Sequence, residues 1–311
     1  MAHFKPHPPP AAPPPHDASF VAFGLRAEAE PIAPGLHVVA TPIGNLRDIT
    51  LRALATLAAA DAVVAEDTRV SRALLAHYGV ATPLIAYHEH NAVAMRPILI
   101  ARLKKGDKLA LISDAGTPLV SDPGYKLVKE ARDAGHAVVP VPGASALLAG
   151  LVASGLPTDA FLFAGFLPPK SAARRTRLNE LKPVPATLVL YETGPRLAAA
   201  LADMAEVLSA GRPAVVAREL TKAFETVRGG TLGTLADAYA AEDPPRGEIA
   251  VIVGPPVAEA PSIEDADRLL AELLADKPLS QAVAEAAGLT GLKRRDLYQR
   301  ALALKDGDGK R

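Results

Sequence analysis

Residues 113–124 read Ser-Asp-Ala-Gly-Thr-Pro-Leu-Val-Ser-Asp-Pro-Gly and follow directly on the apolar run 108–112. An apolar run bounded by turn residues, with a helical pattern over 125–134 beyond it, predicts a buried strand, a loop and a helix. In open α/β sheets, ligands bind at such loops beyond the carboxyl ends of strands. Gly116 and Gly124 permit close backbone approach, Pro118 and Pro123 stiffen the loop, and Asp114 and Asp122 add negative charge. The chemistry this supports is the binding of a small polar ligand by backbone N–H groups and short side chains. His88 and His90 stand two apart around Glu89, so the two imidazoles share one face of an extended segment. No further ligand stands at a recognisable spacing from them, and the pattern falls short of a metal site.

The elements that must position these residues follow from periodicity. Short apolar runs at 36–40, 62–65, 84–87, 108–112 and 137–141 alternate with helical stretches, one starting near residue 50, one running through residue 77 and others at 91–103, 125–134 and 145–153. This alternation predicts a mainly parallel sheet covered on both faces. Residues 155–158 read as a hinge into a second α/β domain. Its strands are predicted at 160–163, 187–191, 214–217 and 249–253 and its helices after Pro195 and at 232–241, with 218–230 a stretch assigned to neither. From residue 263 only helices are expected, at 263–275, 279–286 and 291–304 around a turn at 287–290, a helix-turn-helix pattern. The organisation expected is a proline-rich disordered tail over 1–34, α/β domains over 35–155 and 156–256, and a helical domain over 262–305.

Composition excludes several classes. The 311 residues are 49% hydrophobic and formally neutral, so sizeable cores are expected and any polyanion must be met by local basic patches. There is no cysteine, which excludes disulfides, thiolate metal ligands and a cysteine nucleophile. The tail lacks the apolar core of a signal peptide and no apolar run has the length of a membrane span, so a cytoplasmic protein without membrane association is expected. Neither G-x-G-x-x-G after a strand nor G-x-x-x-x-G-K-[ST] occurs, and the common methyltransferase glycine loop is missing as well.

Other motifs carry a resemblance. Residues 41–49 (TPIGNLRDI), 65–69 (AEDTR), 88–91 (HEHN), 113–124, 140–146 (PVPGASA) and 218–222 (RELTK), in that order, resemble the tetrapyrrole-methylase superfamily, and within it the branch that methylates small-subunit ribosomal RNA. The resemblance runs from Leu36 to about Leu304. One departure is Glu192-Thr193-Gly194-Pro195-Arg196, where the family more often shows Glu-Ser-Pro-His-Arg. The resemblance implies two α/β domains with S-adenosylmethionine folded in the cleft between them, a small C-terminal helical domain, and a homodimer. By family position the cofactor is expected against Pro42, Asp114, Ala115, Gly116, Thr117, Val120, Ser121, Ser145, Ala146, Phe163, Leu190 and Ala217. The activity implied is 2′-O-methylation of a cytidine ribose in 16S ribosomal RNA of the small subunit.

Methyl transfer to a hydroxyl demands alignment, with a general base to take the proton. Candidate bases are Glu66, Asp67, Glu89, His90 and Glu192; for each, a helix cap or a loop ion pair is the competing structural role. Arg47, Arg69, Arg218 and Lys222 are candidate phosphate contacts; for Arg69, Arg218 and Lys222 the competing role is pairing with Asp67, Glu219 and Glu225. Lys170, Arg174 and Arg175 in one basic segment are candidate phosphate contacts too, as are Lys293, Arg294 and Arg295 in the last helix. Two alternatives remain at this level: C-methylation of a uroporphyrinogen- or precorrin-type ring, and a ligand-sensing regulator whose terminal helices bind DNA.

Overall fold

The computed structural model describes residues 17–121, 124–256 and 263–308. The chain divides into two compact units, residues 1–255 and 256–311. Twelve strands and eleven helices run through them among the described residues.

The first half of the larger unit is built on a five-stranded, wholly parallel sheet: β3 (Gly35–Val39), β4 (Ala62–Ala65), β5 (Leu84–Ala86), β6 (Lys108–Leu111) and β7 (Val138–Val141), in the spatial order β5-β4-β6-β3-β7. Each connection carries a helix: α1 (Leu51–Ala59), α2 (Thr68–His77), α3 (Ala92–Lys104) and α4 (Tyr125–Asp133), with α5 (Ala146–Ala153) after β7. Strands β4 and β6 are buried along their whole length, as continuous apolar runs covered on both faces require. Helix starts follow local chemistry. The Thr50 hydroxyl accepts from the Ala53 amide at the head of α1, and the Asp67 carboxylate from the Arg69 amide at the head of α2.

Part of the segment expected to be disordered is ordered. A hairpin of β1 (Ser19–Ala22) and β2 (Leu25–Glu28) packs beside α1, with Phe20 only 6% exposed in the core under that helix. The Val21 amide donates to the Tyr78 carbonyl, which fixes the hairpin to the end of α2. Burial of one aromatic ring outweighs the proline-rich composition upstream of it. Residues 1–16 lie outside the described residues.

The second half carries a mixed sheet in the order β11-β10-β12-β9-β8. Its strands are β8 (Phe161–Phe166), β9 (Thr187–Thr193), β10 (Pro213–Arg218), β11 (Thr226–Thr231) and β12 (Glu248–Val253); only β8 and β9 are parallel. Helices α6 (Ser171–Leu181), α7 (Gly194–Leu208) and α8 (Leu232–Ala241) cover the outer face, where Leu188, Leu190, Leu197, Leu201 and Leu235 form the core. The stretch 218–230, assigned no element from the sequence, therefore holds most of an edge strand, β11, whose Gly229-Gly230 pair masks the pattern. Antiparallel pairing also brings Arg218, Ile249 and Glu192 into line at one end of this sheet.

The smaller unit holds α9 (Ile263–Asp276), α10 (Leu279–Thr290) and α11 (Arg294–Asp308) around Ala266, Leu270, Val283, Ala286, Leu297 and Ala301. Helix α10 continues through the residues expected to turn. It stops at Gly291 in the left-handed conformation (φ 68°), so the turn lies at 291–293. No helix among the described residues is long and apolar enough to cross a membrane.

Candidate active site

The loop after β6 is locked by its neighbours rather than left open. Thr41, just past the end of β3, exchanges backbone hydrogen bonds with Gly116 in both directions, and its hydroxyl donates to the Ser113 carbonyl at 3.1 Å. The Ser113 hydroxyl is buried and donates to the carbonyls of Ala115 and Gly116 at 3.2 Å. The Thr117 hydroxyl donates to the Ala144 carbonyl at 3.0 Å. Leu119 and Ser121 are held at positive φ (74° and 63°), a conformation that costs energy in residues bearing a side chain and that this bracing sustains. Gly116 sits at φ 80°, and a β-carbon there would stand 3.0 Å from the Ile43 side chain. Only glycine lets this backbone and Ile43 close together.

Beside the loop lies a cleft of about 400 Å³ lined by both halves of the larger unit. From the first half come Ile43, Asp114, Ala115, Gly116, Thr117, Val120, Ser121, Ser145 and Ala146. From the second come Phe166, Tyr191, Glu192, Thr193, Ala217, Leu220 and residues 247–250. Ile43, Ala217 and Ala250 are buried, so much of the wall is apolar. Of the expected cofactor contacts, Pro42, Phe163 and Leu190 are not in the lining. Phe163 sits behind it in the core beside the cleft, edge-on to Tyr191 at 4.9 Å between ring centroids. Leu190 points into the core on the opposite face of the sheet, because successive residues of a strand face opposite ways and its neighbour Tyr191 faces the cleft. Strand alternation could have separated these two in advance. The contributions of Ile43, Phe166 and residues 247–250 required the fold.

Acidic groups gather at the carboxyl ends of β4 and β6. The Asp67 amide donates to Asp114 Oδ1 at 3.1 Å, which couples the cleft wall to the segment after β4. Glu66 has its carboxyl pushed above the usual value, first by loss of hydration and then by the negative charge of Asp114, with Glu89 and Asp67 adding to it and His88 opposing. Asp67 behaves in the opposite way. The Arg69 side chain and amide bind its oxygens, at 2.6 Å for the closest ion-pair contact, and lower its pKa to about 2. Asp67 is therefore a helix cap and a poor base, and the Arg69 guanidinium expected at a phosphate is paired to it. Glu89 and His90 are exposed, and the His88 and His90 rings lie 6.0 Å apart. No cluster of three metal-ligating side chains occurs among the described residues. Glu192 is buried in the cleft wall, accepts from the Thr193 amide at 2.8 Å and pairs with Arg196 at 3.2 Å.

The basic candidates divide. Arg174 is buried, with its Nε donating to Asp203 at 2.7 Å and its Nη atoms to the Pro169 and Ala199 carbonyls. It braces α6 on α7 and is no phosphate contact, since an interior cation needs its counter-charge. Arg175 pairs with Asp203 and Glu206. Arg218 donates to the Thr226 hydroxyl and to the carbonyls of Phe224 and Arg246, closing the loop between β10 and β11. Lys222 is held between Glu219 and Glu248 at 2.9 Å from each. Arg47 and Lys170 are exposed on the larger unit, and Lys293, Arg294 and Arg295 are exposed on the smaller one.

Residues 35–236 match the family model described as Tetrapyrrole (Corrin/Porphyrin) Methylases. The chain belongs to the tetrapyrrole methylase family. Residues 260–305 of this methylase match the model described as RsmI C-terminal HTH domain. It is 60% identical over 281 residues to the ribosomal RNA small subunit methyltransferase I of Mesorhizobium japonicum, covering 90% of this chain and 96% of that one. The protein of that name from Pseudomonas aeruginosa is 51% identical, with 86% and 96% covered. Among solved structures, the methylase resembles a uroporphyrin-III-C-methyltransferase from Thermus thermophilus at 25% identity and a TM-score of 0.50, covering 71% of this chain and 94% of that one. Diphthine synthase, at 17% identity and a TM-score of 0.53 over 70% and 89%, shares the fold. The methylase is a methyltransferase.

Proposed function

We propose that this methyltransferase uses S-adenosylmethionine to methylate the ribose 2′-hydroxyl of a cytidine in 16S ribosomal RNA of the small subunit. The observation that carries this reading is the junction of an apolar cleft with a proton acceptor: Asp114 lines the cleft and is hydrogen-bonded to the Glu66-Asp67 segment, where Glu66 has a raised pKa. The names of the full-length relatives support the RNA substrate.

The cleft residues fit the cofactor. A volume of about 400 Å³, a wall apolar at Ile43, Ala217 and Ala250, and a few placed polar groups suit an adenosine bearing a small charged arm. Glycine at 116 lets the loop backbone and the Ile43 side chain close together in the cleft wall. When bound, S-adenosylmethionine supplies an electrophilic methyl group on a sulfonium. The 114–121 loop with Ser145 and Ala146 holds it. Glu66 accepts the ribose hydroxyl proton, and its raised pKa brings it nearer to the working pH of a base. Phosphates are held by Arg47 and Lys170, and by Lys293, Arg294 and Arg295 of the helical unit. A homodimer acting in the cytoplasm completes the reading; exposed Leu148 and Val152 on α5 support a subunit contact.

The test is incubation with labelled S-adenosylmethionine and small subunits from cells lacking the modification. Label on one cytidine ribose is expected, abolished in Glu66→Gln. Label on uroporphyrinogen and none on RNA would overturn the reading, as would tight duplex DNA binding without methyl transfer.

A further inference from the structure

We propose that Phe166 is a stacking platform for the base of the nucleotide whose ribose is methylated, a role that rests on the RNA reading above. The carrying observation is a register shift at the end of β8. Phe161, Leu162 and Phe163 pair in step with Thr187, Leu188 and Val189, and then Gly165, not Ala164, pairs with Leu190, and Phe166 with Tyr191. Leu162 and Ala164 pack in the outer core and Phe163 beside the cleft. Continued alternation would send residue 166 to the outer core and residue 167 to the cleft. The bulge reverses this: Leu167 is buried in the outer core, and Phe166 lines the cleft on the same face as Tyr191.

The fold has therefore re-aimed one aromatic ring toward the site, and the local backbone is built for it. Gly165 takes φ 66°, and a β-carbon there would stand 3.4 Å from Ser121 Oγ, so the bulge faces the loop after β6 across the cleft. Tyr191 meets the Phe166 ring at 5.6 Å between centroids and 61° between planes, and meets Phe163 in turn, so the ring is held in place. Yet Phe166 remains 53% exposed, whereas the apolar residues deep in the same cleft, Ile43, Ala217 and Ala250, are at most 6% exposed. A fixed ring at the rim with half its surface in water is suited to a planar group that arrives from solution. Single-stranded RNA presents such groups, and unstacked bases are held on aromatic rings whatever their sequence.

The test compares the full chain with Phe166→Ala, Phe166→Leu and Phe166→Tyr, using small subunits lacking the modification and calorimetry with S-adenosylhomocysteine. Cofactor affinity is expected to stay within about twofold in all, which also reports that each variant is folded. Loss of stacking lowers kcat/KM for subunits roughly five- to hundredfold in the Ala and Leu variants, and Phe166→Tyr restores it to within about threefold. Full kcat/KM in Phe166→Leu would overturn the proposal by showing that an apolar rim suffices. Cofactor affinity falling in parallel with kcat/KM would overturn it by assigning the ring to the cofactor. A wild-type chain that binds S-adenosylhomocysteine but labels no ribosomal RNA would instead overturn the RNA reading, and this proposal with it.

Discussion

Replacing Asp203 with alanine should unfold the core at markedly lower temperature while leaving the RNA-facing surface unaltered. Arg174 and Asp203 have side chains only 5% and 11% exposed and meet at 2.6 Å, and the same carboxylate accepts from the Ser171 hydroxyl and from Arg175. Removing it leaves a guanidinium inside the protein with only the Pro169 and Ala199 carbonyls for partners. Breaking a buried pair in this way costs about 3–5 kcal/mol. At about 2–4 °C per kcal/mol for a unit of this size, the midpoint drops by on the order of 6–20 °C. Arg174→Met removes the cation instead; Asp203 keeps Ser171 and the half-exposed Arg175, so a smaller loss of about 1–3 kcal/mol is expected. Scanning calorimetry measures the midpoints, and filter binding at fixed salt measures RNA affinity on the folded fraction. The reasoning is refuted if Arg174→Met weakens RNA binding as much as Lys170→Gln does while its midpoint stays at the wild-type value.

Glu66 should set the acid limb of the pH profile of kcat/KM, rising as its carboxyl ionises above 4.5. Glu89→Gln removes a like charge and moves that limb to lower pH, whereas an unmoved limb would detach it from Glu66. Phe20→Ala, emptying the 6%-exposed site under α1, should lower stability by about 3–5 kcal/mol in a denaturant titration; a loss under about 1 kcal/mol would make the hairpin an appendage. Exchanging Lys293, Arg294 and Arg295 together for glutamine should reduce the salt slope of log K for RNA by about 2, at roughly 0.7 for each phosphate no longer neutralised, with S-adenosylhomocysteine affinity unchanged. An unchanged slope places the phosphates elsewhere.

Much of the fold is legible because it is local. The apolar runs at Ala62–Ala65 and Lys108–Leu111 sit between turn residues, and Thr50 and Asp67 mark helix starts by their side chains. The chemistry of residues 113–124 is legible for a similar reason: a loop rich in glycine, proline and short polar side chains directly follows a buried strand. Non-local physics is not. Nothing near Arg174 in the sequence announces that its partner is Asp203, so a buried brace reads as part of a basic surface. For Arg69 and Lys222 the pairing is legible, because Asp67 and Glu219 stand within three residues of them; only the second partner of Lys222, Glu248 on another strand, is not. The Ser19–Glu28 hairpin is lost behind upstream prolines although the buried Phe20 ring and the Val21–Tyr78 hydrogen bond secure it. The re-aimed Phe166 is invisible without pairing, because a bulge is a relation between two strands.

The strand orders also impose a timetable on synthesis. The parallel sheet can close once β7 has left the ribosome, at residue 141. In the second sheet β12 lies between β9 and β10, so its central strand is made last, at residue 253. The intervening 112 residues take about 6–22 s at ordinary rates of about 5–20 residues per second. From the time each is made until β12 joins them, β9 and β10 each present an open backbone edge flanked by apolar side chains, a template for pairing with another chain. The first half can be folded while the second still waits, and a ribosome that stalls between residues 218 and 247 leaves a folded domain joined to an aggregation-prone one. The stretch from Phe161 to Arg218 is where a chaperone has most to cover.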